Sequence, residues 1–205
     1  MDCIFSILSD SLCPILKIIL FNFVAIVNES SFTKIRGICV FFIKFKTRSW
    51  GILPPVKTIA VPQGFTTSYL DNPNTQQYVK QLNNSYQKLG KENDFLLIEG
   101  TGHAGVGSVF DLSNADVAKL FNTKVVLVSL GGIGKSIDEI ILNKSVFDKL
   151  GVEILGVIIN KVKQEKYEKI SKYVRKSLER HNLNLLGCIP FVNTLNYPTV
   201  ESVFK

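Results

Sequence analysis

From residue 57 onward the chain alternates short apolar runs with segments whose apolar residues recur at three- and four-residue spacing. That alternation predicts βαβ units and a parallel sheet. Strands are expected at 57–61, 95–98, 124–128, 154–159 and 185–189, the last closed by Pro190. Between the first two, Asn72-Pro73 marks a turn. Asn74 can cap a helix whose positions Tyr78, Val79, Leu82, Tyr86 and Leu89 share one face, with Gly90 as its stop. Ser113 is expected to cap a short helix with Val117 and Leu120 inward. Ser136 and Glu139 form an S-x-x-E capping box before a helix carrying Ile137, Ile140, Ile141, Phe147 and Leu150, ended by Gly151. Tyr167, Ile170, Val174 and Leu178 define a lysine-rich helix ending near His181. The fold class expected is α/β, a doubly wound, mainly parallel sheet with helices on both faces.

Residues 1–51 read differently and form an atypical apolar segment, apart from the domain expected over 52–205. Apolar runs at 15–20, 23–27 and 38–45 are broken by Lys17, Asn22 and the 28–31 stretch. None reaches the roughly 20 apolar residues that cross a bilayer, and Asp2 and Asp10 argue against a basic leader. Three readings stay open: a partly buried N-terminal element, a weak membrane anchor, or residues from a misplaced gene start.

Composition narrows the class. An apolar fraction of 46% and a charged fraction of 20% over 205 residues suit one folded domain with a sizeable core. The net charge of +7 is spread over several expected helices without an aromatic-interleaved stripe, so no nucleic-acid partner is expected. Cys3, Cys13, Cys39 and Cys188 form no C-x-x-C pair, which leaves neither zinc spacing nor a redox motif. A reducing, cytoplasmic location is expected, and a membrane is not expected as a partner.

In such a sheet, ligands bind at the carboxyl ends of the strands. Glu99 follows one buried strand, and Gly100-Thr101-Gly102-His103-Ala104-Gly105 follows Glu99. An acid there can hold Mg²⁺, and glycines allow close backbone approach. His103 could touch a substrate or phosphate. The alternative is a tight turn with a solvated glutamate. Gly100, Gly102 and Gly105 also match G-x-G-x-x-G, which reads dinucleotide only if a helix opens there and an acid ends the next strand. The segment Ser129-Leu130-Gly131-Gly132-Ile133-Gly134-Lys135-Ser136 nearly spells a P-loop, with Ser129 where the first glycine belongs. Asn160, at another strand end, can pair with a donor and an acceptor on a purine edge, although asparagine is also a common turn residue.

Taken together, DFLLIEGTGHAGVGSVFDLS, KVVLVSLGGIGKSIDEIILN, GVIINKV and LLGCIP resemble the dethiobiotin-synthetase-like and cobyrinate-amidase-like P-loop ATPases. Such a domain also stands N-terminal in phosphotransacetylases. The resemblance runs over roughly 64–198. It implies a three-layer, P-loop NTPase-like fold, ATP and Mg²⁺ as cofactors, Glu99 on the metal, Asn160 on the adenine, and Ile189, Pro190 and Phe191 near the base. Gly100, Thr101, Gly102, His103, Lys135 and Ser136 complete the expected cofactor-binding set. By the same alignment, GGIGKS belongs to a later strand–helix turn and not to the Walker A loop. The family's first strand leads into that glycine-rich loop, and nothing in 1–51 reads as one.

The resemblance implies an ATP·Mg-dependent ligase-type domain that activates a carboxylate, impaired in phosphoryl transfer where the loop is missing. The alternatives are a non-catalytic nucleotide-sensing or scaffold domain, and the dinucleotide-binding reading. An adenine nucleotide, an unnamed small substrate and, as one option, a second copy of the chain are the expected partners.

Overall fold

The computed structural model describes residues 17–21, 41–46, 49–52, 56–57, 64–92, 95–100 and 102–192, with side chains from residue 64 onward apart from 92–95. Its strands are β1 (Lys17–Phe21), β2 (Phe41–Lys46), β3 (Ser49–Ile52), β4 (Val56–Lys57), β5 (Phe95–Gly100), β6 (Lys124–Leu130), β7 (Ile154–Val162) and β8 (Leu185–Pro190). Its helices are α1 (Phe65–Asp71), α2 (Thr75–Glu92), α3 (Asn114–Leu120), α4 (Gly134–Leu150) and α5 (Tyr167–Glu179).

All of the strands join one sheet in the order β3-β2-β5-β1-β6-β7-β8, with β4 on β2. The run β5-β1-β6-β7-β8 is parallel throughout. Among the described strands, β2 pairs antiparallel with β3, β4 and β5. This is the mainly parallel α/β sheet that the alternating pattern predicts. The expected strand at 57–61 begins as β4, and its remainder lies outside the described residues.

The strand at the centre comes from the atypical first segment. Lys17-Ile18-Ile19-Leu20-Phe21 sits between β5 and β6, with Leu20 opposite Glu99 and Phe21 opposite both Gly100 and Leu127. A run of that kind suits a position with strands on both sides. The chain places β5 on one side of β1 and then crosses to β6 on the other. The carboxyl end of β1 is therefore the topological switch point of the sheet, the position at which sheets of this kind bind ligands.

Alternation along the strands divides two apolar clusters. Leu96, Ile98, Val125, Leu127, Val157 and Ile159 pack with Leu82 of α2, Val117 of α3, Ile140 and Phe147 of α4, and Val174 and Leu178 of α5. The other cluster holds Val126, Val128 and Ile158, with Leu97, Leu155, Leu186 and Ile189 against them. Among the described residues no helix packs with this second cluster.

Local chemistry sets most element ends as predicted. Asn74 accepts from the Gln77 amide at 3.3 Å, starting α2. Ser113 and Asp116 form a reciprocal capping box on α3. Gly151, at φ 69°, ends α4 in the left-handed conformation that favours glycine. Three details differ. Gly90 does not stop α2, which runs on to Glu92. Leu120 is 36% exposed, because α3 ends before its last turn is covered. Ser136 caps nothing: α4 opens at Gly134, and the Ser136 hydroxyl turns back to the Leu130 carbonyl at 2.7 Å. Helix α1 carries no strong apolar period, and tertiary packing holds it. Phe65, Tyr69, Tyr78 and Phe110 form an aromatic cluster, and the Tyr69 hydroxyl donates to the Phe110 carbonyl at 3.2 Å.

Candidate functional site

The loop after β5 is tightly organised. Gly102 and Gly107 take φ of 66° and 102°, open to glycine at no steric cost. The Val106 amide bonds the His103 carbonyl at 3.0 Å, and the Ala115 amide bonds the Ala104 carbonyl at 3.2 Å. Two buried asparagines tie the loop from outside. Asn114 donates Nδ2 to the His103 carbonyl at 2.8 Å, and Asn143 accepts the Ala104 amide on Oδ1 at 2.6 Å. The exposed ring of His103 accepts the Gly105 amide on Nδ1 at 3.2 Å, which leaves Nε2 as the ring nitrogen for an external partner. A 3-10 turn at Ser108–Phe110 follows, and α3 opens only at Asn114. No helix opens at Gly105, and β6 ends in Ser129-Leu130 without an acid, so the dinucleotide fingerprint lacks both of its structural requirements.

Glu99 is the penultimate residue of β5, flanked by the backbones of Leu20 and Phe41. Alternation puts it on the same side as Leu97, away from Leu96 and Ile98. Burial pushes its carboxyl up to about 7. A carboxylate partly stripped of water at a strand end is one that a cation would relieve.

The turn after β6 departs from the P-loop pattern in its local contacts. Ser129, where a P-loop has its first glycine, is a strand residue opposite Ile159 and only 5% exposed. Its hydroxyl has no hydrogen-bond partner among the described residues. The Ser136 hydroxyl is spent on Leu130, and Lys135, its side chain 89% exposed, lies 3.6 Å from Glu139. The tightness of the turn has another origin: a Cβ on Gly131 would stand 2.9 Å from the Val162 Cα and 3.0 Å from the Lys161 carbonyl oxygen. The glycine lets the turn lie against the end of β7.

That end of β7 is kinked. Lys161 has φ 56°, the pairing with β8 shifts between Ile159 and Val162, and Asn160 Oδ1 accepts the Lys161 amide at 2.8 Å. Bulges of this sort re-aim side chains next to binding sites. Asn160 lies opposite Leu130 on one side, while Val162 is opposite Pro190 on the other. Asn160 Nδ2 has no hydrogen-bond partner among the described residues. Leu130, Phe191 and Val192 are exposed along this rim.

The sheet therefore forms two groups. Asn160, Pro190 and the 131–136 turn adjoin at the β6-β7-β8 end. Glu99, Gly100, Gly102 and His103 gather at the β5 end, across β1. Two strand spacings and three residues of rise put about 14 Å between the Cα atoms of Glu99 and Ser129. Thr101 lies outside the described residues. A nucleotide-sized ligand could bridge the two groups; a single ion could not.

A family model for the AAA domain matches residues 58–199, more than half of the chain. The chain belongs to this family. Among curated relatives it is similar to the ATP-dependent dethiobiotin synthetase of Methanococcus vannielii, at 29% identity over 54% of this chain and 53% of that protein. It is similar to the cobyrinate a,c-diamide synthase of Caldanaerobacter subterraneus subsp. tengcongensis, at 33% identity over 54% of this chain and 25% of that protein. It is also similar to the phosphate acetyltransferase of Synechocystis, at 28% identity over 56% of this chain and 17% of that protein. The chain spans a little over half the length of the first dethiobiotin synthetases it matches. The domain is thus of the dethiobiotin-synthetase-like P-loop type that its strand-end motifs indicate.

Sequence reasoning missed Asn114 and Asn143, which position this AAA domain's glycine loop. A signal was present for one of them. Asn143 falls in the inward stripe of α4, between Ile140 and Phe147, where an apolar residue belongs. A polar side chain in a buried stripe needs a partner, and so marks a structural tie. Asn114 follows directly on a capping serine and looks like an ordinary first-turn residue.

Proposed function

We propose that this AAA domain binds an adenine nucleotide with Mg²⁺ and transfers phosphate no faster than background. The observation that carries the nucleotide reading is the adjacency of Asn160 and Pro190 on neighbouring strand ends beside the exposed Leu130 and Phe191. An amide with a free donor next to flat apolar surface suits a purine ring and its edge. At the other end of the crevice, Glu99 suits Mg²⁺. Among the described residues no three metal-binding side chains gather, so the ion would be of the kind held by one carboxylate and the ligand's own phosphates. His103 and the glycine loop stand beside it for those phosphates. Mg²⁺ there would neutralise phosphate charge.

The impaired transfer rests on the sequence after the central strand. The first glycine beyond Phe21 is Gly37, and the intervening Asn22-Phe23-Val24-Ala25-Ile26-Val27 is apolar and partly β-branched. Such residues do not supply the backbone N–H cradle and lysine that hold β- and γ-phosphates. The relatives' ligase chemistry would need both. A nucleotide sensor or scaffold needs neither. We place the protein in the cytoplasm, since its cysteines suit a reducing compartment; no helix of the described residues is long and apolar enough to cross a membrane.

The test is calorimetric titration with Mg·ADP, Mg·ATP and Mg·GTP, beside a steady-state phosphate-release assay. Adenine nucleotides should bind, Mg·GTP should bind less well, and phosphate release should equal the protein-free rate. Equal affinity for ATP and GTP would remove Asn160 as the reader of the base. Phosphate release abolished by Lys135→Ala would make 129–136 a working phosphate loop and overturn the reading of impaired transfer.

A further inference from the structure

The loop after β5 and the helix after β6 meet at one side chain. Asn143 is 8% exposed and sits among core residues, where leucine would be cheaper to bury. Its amide is used on both sides. Oδ1 accepts the Ala104 amide at 2.6 Å, and Nδ2 donates to the Glu139 carbonyl at 2.7 Å, inside α4 itself. The first bond joins residues 39 apart in the chain. Ala104 is fully buried, and its carbonyl is held by the Ala115 amide. The residue is therefore gripped at both peptide groups, between two glycines, Gly102 and Gly107, that would otherwise leave the segment free to rearrange.

We infer that Asn143 is a positioning residue that locks the 102–107 loop to α4, so that the loop carrying His103 and the turn opening α4 move as one body. The two loops end strands that are not neighbours in the sheet, since β1 lies between β5 and β6. The sheet alone leaves each loop free to open separately. The Asn143 bond removes that freedom and fixes where the His103 backbone stands relative to α4. This inference goes beyond the nucleotide reading and does not depend on it.

The test is amide hydrogen exchange resolved by residue on the ligand-free protein, for the wild type, Asn143→Leu and Asn143→Asp. Leucine fills the site and removes both bonds; aspartate keeps the acceptor for Ala104. We expect Asn143→Leu to speed exchange at Ala104 about tenfold or more. The Val126 and Ile158 amides of the core strands should keep their wild-type rates. Asn143→Asp should restore slow exchange at Ala104. If Asn143→Leu does not fold, Asn143→Ala carries the same comparison. Three results would each overturn the inference: wild-type exchange at Ala104 in the leucine variant, acceleration spread evenly over the core strands, or an aspartate variant as fast as the leucine one. A protein that binds no nucleotide but shows the expected pattern would overturn the nucleotide reading and leave this one intact.

Discussion

Ser136 donates its hydroxyl to the Leu130 carbonyl at 2.7 Å, closing the turn between β6 and α4 on itself. A hydroxyl so engaged, in a residue 6% exposed, supports the turn. Its removal leaves the Leu130 carbonyl without that bond. Ser136→Ala should therefore destabilise the domain by about 1 kcal/mol. Lys135→Ala, at a solvated side chain, should change stability by less than about 0.5 kcal/mol and leave Mg·ADP affinity unaltered. Urea unfolding and calorimetry measure the pair. A large affinity loss in Lys135→Ala alone would return phosphate binding to this turn.

The glycines of the same turn differ in role. A Cβ on Gly131 would press on the backbone of Lys161 and Val162, which cannot swing aside as a side-chain tip can. A Cβ on Gly134, the first residue of α4, would meet nothing within 4 Å. Gly131→Ala should cost about 1–3 kcal/mol and disturb the Asn160 kink. Gly134→Ala should be neutral or stabilising by up to about 1 kcal/mol. Denaturation midpoints for both variants separate them, and equal effects would contradict the tight approach of the turn to β7.

Gly90 gives a third comparison. It lies within α2, has open space around it, and does not take a positive φ. Alanine there relieves the entropy that glycine loses in a helix, so Gly90→Ala should stabilise by roughly 0.5–1 kcal/mol. Thermal unfolding would show the gain as a rise of a few degrees. A loss would mean that Gly90 does terminate the helix in solution.

Gly90 also illustrates what was legible in the sequence. Strands β5 to β8 and helices α2 to α5 follow from apolar period, because each buries one continuous stripe against the sheet. Ends were legible where a specific cap forms, at Asn74, Ser113 and Gly151, and not where a glycine sits mid-helix without a break. The capping box at Ser136 was misread because the serine had a nearer partner one turn back. The apolar runs of the first segment were visible, but their place in the sheet was not. The pairing of Lys17–Phe21 with residues 79 positions later in the chain (Lys17 with Leu96) leaves no local mark. Of the candidate site, the strand-end placement of Glu99 and Asn160 could be read from the sequence. Their separation across β1 could not, since it depends on strand order. Asn143 lay in plain view as a polar residue in an apolar stripe.

Glu99 should make stability depend on pH in a definite direction. Its carboxyl, ordinarily near 4.5, is pushed up to about 7 by burial. The folded state thus holds its proton more tightly than the unfolded chain does. Below the ordinary value both states are protonated and Glu99 costs nothing. As pH rises from about 4.5 to about 7 the unfolded chain ionises first, and stability falls through that window. Above it the buried charge costs at most about 3 kcal/mol, the equivalent of a shift of that size. Glu99→Gln keeps the shape and removes the charge. Urea unfolding should find the variant equal to the wild type near roughly pH 4 and more stable near roughly pH 8. The difference between the two curves isolates Glu99 from the other carboxylates. Mg²⁺ with ADP supplies the second arm: if the ion sits on Glu99, adding both at the higher pH should stabilise the wild type more than the variant. Parallel pH curves would mean that Glu99 is solvated in solution. A diverging pair with equal response to Mg·ADP would keep the burial and remove the metal role.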